Sequence, residues 1–135
     1  MHQIEITYKR NLHTQCNHLQ SGKQITTEAP VEHHGNGEAF SPTDLVATAL
    51  GSCLLTIMGI AAKTHGINMD DSTAIVTKIM SKNPRRIGKI IVEINIPYEL
   101  NQKGQMVLNQ AAQGCPVHHS LHPDIVKEIK INFNS

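Results

Sequence analysis

The chain has 135 residues, enough for one modest core, and a formal net charge of +1. It has no Trp, two Tyr and two Phe, so the core must come from Ile, Leu, Val, Ala and Met. Lys and Arg are scattered, with no basic stripe interleaved with aromatics, which argues against nucleic acid as a partner. The start, MHQIEITYKR, lacks a continuous apolar signal segment, so a cytoplasmic location is expected. Three cysteines in a reducing compartment disfavour a structural disulfide framework.

In chain order, the first third reads as strands. Ile4, Ile6 and Tyr8 alternate with Glu5 and Thr7, the pattern of a half-buried strand. Ser21-Gly22-Lys23 is a turn signal leading into a short strand at Ile25-Thr26-Thr27, and a polar loop then runs from Pro30 to Phe40. The clearest helix follows. Ser41 is a good N-cap, Pro42 suits the first helical position, and Asp44 completes a capping box. Leu45 to Ala62 carries no charge over 18 residues, the lower limit for a membrane span. Its Ala, Gly, Ser and Thr content and missing aromatic belt fit a helix buried in a soluble protein better, with no membrane partner. Being apolar on nearly every face, it belongs in the middle of the fold.

Strands are expected over Thr73–Met80 and Ile87–Ile96, joined by a turn at Asn83-Pro84-Arg85. In the second, Ile90, Val92, Ile94 and Ile96 share one face. A helix over Gln102–Gln113 offers Met106, Val107, Leu108 and Ala111 for burial, and Ile129, Ile131 and Phe133 mark a closing strand. The order βββ-α-ββ-α-β implies one α+β domain over residues 1–135, with mostly antiparallel pairing.

Two cysteines stand out. Cys53 lies in the long apolar helix directly after the small residues Gly51 and Ser52. Read without context, a helical cysteine is as well explained as a small buried hydrophobe. Cys115 sits between the helix-ending Gly114 and Pro116, a fixed corner, followed by His118 and His119, which would lower its pKa if either ring approached the sulfur. A plain turn cysteine is the alternative. Nine histidines invite a metal reading through Cys16-x-His18, Cys115-x-x-His118 and His33-His34, but these lie on different elements without the spacing of a structural zinc site. No metal is therefore expected, and Cys16 reads as an exposed bystander in a polar hairpin.

Taken together, two stretches resemble a known family. Ser41-Pro42-Thr43-Asp44-Leu45-Val46-Ala47 leading to Ala49-Leu50-Gly51-Ser52-Cys53 is similar to the central helix of the OsmC/Ohr superfamily. Gly114-Cys115-Pro116-Val117 followed by Ser120-Leu121 is similar to its second cysteine segment. The resemblance implies the OsmC-like fold: mostly antiparallel sheets around a long buried central helix, in an intertwined homodimer with active sites at the subunit interface. It also implies a two-cysteine hydroperoxide reductase without metal or organic cofactor. Cys53 would be the peroxidatic thiolate and Cys115 the resolving thiol. The substrate would be a hydroperoxide, and the reductant an external dithiol such as a lipoylated protein.

The sequence departs from that pattern at one place. Peroxidatic members carry a Glu ten residues before the first cysteine, paired with an Arg from the preceding loop. Here the Glu position is Thr43, with Asp44 beside it, and residues 28–40 contain no Arg. The only arginines are Arg10, Arg85 and Arg86, and His33 falls near the expected place. Thr43, Asp44, His33 and Arg10 are thus the candidate supporting residues. The alternative is an OsmC-like protein that binds a small ligand without turning over peroxide.

Overall fold

The computed structural model describes residues 1–134, which form two compact units, Met1–Val46 and a second beginning at Ala47. The boundary falls inside the long helix.

The first unit is a three-stranded antiparallel sheet of β1 (Ile4–Arg10), β2 (His13–His18) and β3 (Gln24–Glu28), in that order. Asn11 and Leu12 connect β1 to β2 with φ of 51° and 64°. Positive φ at both central residues is the hairpin geometry that matches strand twist. Leu12 is an unfavourable residue for it. Its N–H donates to the Tyr8 hydroxyl at 3.2 Å and its carbonyl accepts from Ala29 N–H at 3.0 Å, which hold the corner. The second hairpin closes at the expected turn, with Gly22 taking φ 76°. One expectation fails here: β1 is not half-buried. Ile4, Ile6 and Tyr8 are each more than 60 % exposed. Ile6 pairs with Cys16, which pairs with Ile25, so one apolar row crosses the sheet, exposed at Ile6 and Ile25 and half-buried at Cys16.

After β3 the chain makes a short 3₁₀ turn at Val31–His33 and returns through left-handed His34 and Gly37. Gly35 is required there, because a Cβ would lie 1.6 Å from the Ala29 carbonyl oxygen. The capping box forms as expected before α1 (Pro42–Thr64). Asp44 N–H donates to Ser41 Oγ at 3.1 Å, and Ser41 N–H donates to the Asp44 carboxylate at 3.0 Å.

The second unit contains the core. Ala47, Leu50, Gly51, Leu54, Met58 and Ala62 recur at three- and four-residue spacing and form the buried stripe of α1. Gly51 lets the helix approach β4 (Thr73–Ser81), since a Cβ on it would meet Val76 Cγ2 at 2.7 Å. The central strand, β5 (Arg86–Ile96), pairs antiparallel with β4 and parallel with β6 (Val126–Phe133). Ile90, Val92, Ile94 and Ile96 line its buried face, as their alternation requires. A parallel pair needs a long crossover, supplied by α2 (Gln102–Ala112) and α3 (Pro116–Ser120).

Three of the four strand pairings are antiparallel, so the mixed α+β, mostly antiparallel architecture is observed, divided into two three-stranded sheets. Two burial expectations are corrected. The helix α1 is long and apolar enough to cross a membrane by composition, but it is buried along one stripe only. Ile60 is 64 % exposed and Val46 37 %. Within α2, Leu108 turns inward together with Gly104 and Ala112, while Met106 points out, because 102–112 is helical and 106 falls on the opposite side.

Candidate active site

Cys53 and Cys115 belong to the second unit, and the fold brings them together. Cys53 projects from α1, half-buried, against the core cluster. Cys115 is fully buried and is the N-cap of α3, where Pro116 takes the first helical position. Its Sγ accepts from His118 N–H at 3.4 Å, closing the first turn of that short helix. The Cys53 side chain is among the groups that act on the Cys115 thiol.

Burial pushes the Cys115 thiol up, and the neighbouring Cys53 side chain pushes it further, against the opposing pull of the His118 and Val117 N–H groups. Cys115 therefore holds its proton more tightly than an ordinary thiol. The histidines act differently from expectation. His118 reaches the sulfur through its main chain, and its imidazole is held toward the neutral form by burial first, then by Lys127 and His119. His119 is turned away, with Nε2–H donating to the Gln113 carbonyl at 2.9 Å. None of the groups acting on Cys115 among the described residues is a cation.

Gly51 is occupied by the close packing of α1 on Val76. The His118 ring lines a cleft of about 420 Å³ with Asn109, Ala112, Gln113, Ile129 and Ile131.

The candidate supporting residues all lie in the first unit. Thr43 and Asp44 sit in the first turn of α1, with the Thr43 hydroxyl 3.3 Å from Ser41 Oγ and the Asp44 carboxylate serving the cap. His33 is exposed in the 3₁₀ turn, and Arg10 is exposed at the end of β1. Of the proposed metal pairs, Cys16 and His18 share β2 and are half-buried rather than exposed.

Sequence reasoning missed one group. Glu28, the last residue of β3, is 1 % exposed, and its Oε1 accepts from Asn36 N–H at 2.9 Å and Glu38 N–H at 3.2 Å. Burial would raise this carboxyl. The N–H groups of Glu38, Asn36 and Gly37, with His13, outweigh that and hold it below its ordinary value. His13 is its register partner on β2, with Nε2 2.9 Å from Glu28 Oε2. The only signal in the sequence was an acidic residue inside an apolar-polar strand, which spacing alone does not distinguish from a solvated face.

Comparison with known proteins agrees with this architecture. Residues 35–130 match the family model described as OsmC-like protein. A crystal structure from Psychrobacter arcticus, provisionally described as an osmotic stress induced and detoxification response protein, is 45% identical. It superposes with a TM-score of 0.93 over 98% of this chain and 96% of that one. An OsmC-like protein from Mycoplasma pneumoniae gives 0.83 at 18% identity, over 100% and 98% of the two chains. An organic hydroperoxide resistance protein from Elizabethkingia anophelis gives 0.76 at 16%, over 99% and 98%. Among curated proteins, no relative matches. With the family model covering most of the chain and a structure at 45% identity spanning nearly all of it, the protein belongs to the OsmC-like family.

Proposed function

We propose that the protein is a thiol-dependent hydroperoxide reductase in which Cys53 is the peroxidatic residue and Cys115 the resolving one. The observation that carries this reading is the juxtaposition of the two thiols, with Cys53 half-buried beside a fully buried Cys115 whose proton is held more tightly than in an ordinary thiol. Family membership supports it, as does the likeness of fold to proteins named for organic hydroperoxide resistance.

The chemistry runs in three steps. The Cys53 thiolate attacks the terminal peroxide oxygen, the O–O bond breaks, and the alkoxide leaves as an alcohol on taking a proton. Cys53 is then a sulfenic acid. The Cys115 sulfur displaces its hydroxyl as water, giving the Cys53–Cys115 disulfide. An external dithiol reopens that disulfide by exchange and is itself oxidised to a disulfide. Burial of Cys115 keeps it from competing for peroxide, so attack falls to Cys53.

Thr43, Asp44, His33 and Arg10 are the residues proposed to orient the peroxide where other members use Glu and Arg. The working form in this proposal is a cytoplasmic homodimer. The exposed apolar row of the first sheet and the exposed side of α1 support that assembly.

A second reading, binding of a small ligand without turnover, is favoured by the cleft beside His118 and by Thr43 in place of Glu. Consumption of cumene hydroperoxide with dihydrolipoamide as reductant separates the two. Turnover should be present in the wild type and fall to the protein-free level in Cys53→Ser. Equal consumption in both proteins would remove the reductase reading.

A further inference from the structure

The His13–Glu28–Glu38 group in the first unit lies outside the cysteine chemistry, and its atoms are arranged as ligands. The imidazole nitrogen and the carboxylate oxygens all lie within 4.8 Å of one another. His13 Nδ1 is 2.8 Å from the Asn11 carbonyl. A carbonyl only accepts, so Nδ1 carries the hydrogen and neutral His13 presents a bare lone pair at Nε2. Fixing the tautomer through a main-chain carbonyl is the outer-shell arrangement of metal-ligating histidines.

Glu28 supplies the second observation. Its Oε1 is taken up by loop N–H groups. Its Oε2 is fully buried and has no hydrogen-bond partner, although His13 Nε2 stands 2.9 Å away. The two atoms are thus close without being aligned as donor and acceptor. In the neutral form of His13 two lone pairs meet at that separation, which suits a cation shared in place of the proton. Tetrahedral ligands at about 2.0–2.2 Å from zinc stand roughly 3.3–3.6 Å apart, so the pair would open by about half an ångström to hold the ion. Glu38 follows the loop that Glu28 holds, and its exposed carboxylate completes the set on the solvent side.

We propose that His13, Glu28 and Glu38 form a binding site for one divalent cation of the zinc class, with an open position toward solvent. One nitrogen and two carboxylate oxygens suit zinc better than calcium or magnesium, which favour all-oxygen sets. The cation would tie β2, β3 and the loop over 36–38 together.

The test uses the full chain under reducing conditions, titrated with Zn²⁺ by calorimetry and with Co²⁺ by absorption. One equivalent per chain is expected, with a Co²⁺ spectrum lacking a thiolate charge-transfer band. Glu38→Gln should weaken binding by at least about tenfold, and His13→Ala by more. Glu38 is exposed and its N–H is kept in Glu38→Gln, so that variant remains informative even if His13→Ala does not fold. His33→Ala should bind like the wild type. Absence of stoichiometric binding, affinity unchanged in Glu38→Gln, or a thiolate band would overturn the proposal.

Discussion

The two units solve the problem of stability differently. The second has a helix laid on a sheet whose central strand is buried along one face, from Ile87 through Ile96. It holds both candidate cysteines, Cys53 and Cys115. The first has a sheet whose apolar side chains are exposed on β1 and at Ile25, and its one buried charge is stapled by main-chain N–H groups and a histidine. Three strands need a covered apolar face to be stable in water. The first unit therefore calls for a partner surface, and a second copy of the chain is the one proposed.

The largest expected effect follows from that contrast. Ile6→Glu combined with Ile25→Glu places two charges on the exposed row, at a loss of about 1.5–3 kcal/mol per apolar side chain that the dimer would bury. Sedimentation should give a monomer or an unfolded chain, and a dimer of wild-type stability would show that this face is not an interface. The counterpart in the second unit is Gly51→Val. It drives a branched side chain into Val76 and should cost about 1–3 kcal/mol in urea unfolding. An unchanged midpoint would mean that α1 and β4 are packed less closely than described.

A smaller effect separates the units by pH. The Cys115 value is raised by burial and by Cys53, so the folded state holds the proton more tightly than the unfolded state. That share of stability is whole below pH 9.0 and is lost as pH rises through the higher folded value. Glu28 runs in the other direction. Its folded value is lowered by the loop N–H groups and His13 against burial. Its share is present above pH 4.5 and is lost as pH falls through the lower folded value. His118, lowered by burial and nearby cations, likewise loses its share as pH falls below 6.5. Thermal melts should show Cys115→Ser flattening the alkaline decline and Glu28→Gln the acid one. If each variant keeps the wild-type slope, these groups do not govern the pH limits.

Much of this was legible in the residues. Ser41, Pro42 and Asp44 announce a helix start by local hydrogen bonding, and α1 begins where they place it. The alternation of β5 names its buried face directly, because a one-residue slip would invert it. The proposal that Cys53 and Cys115 act as a pair came from motif resemblance, and spacing alone left each open to a bland reading. What escaped was set by long-range register and by exposure. Ile4, Ile6 and Tyr8 alternate like a half-buried strand, but alternation does not say which molecule covers the apolar side. His13 meets Glu28 only because β2 and β3 pair in one register, which no local pattern encodes. The backbone route by which His118 touches Cys115 depends on the α3 cap, and proximity in sequence left open whether either ring would reach the sulfur.

The central claim concerns the two sulfurs, and intact mass after one equivalent of organic hydroperoxide tests it most directly. The reduced wild type should lose two hydrogens and map to a Cys53–Cys115 disulfide. Cys115→Ser should gain one oxygen, trapped by a sulfenic-acid reagent on Cys53, and Cys53→Ser should remain unchanged. Wild-type protein with both thiols intact under excess peroxide would contradict the account.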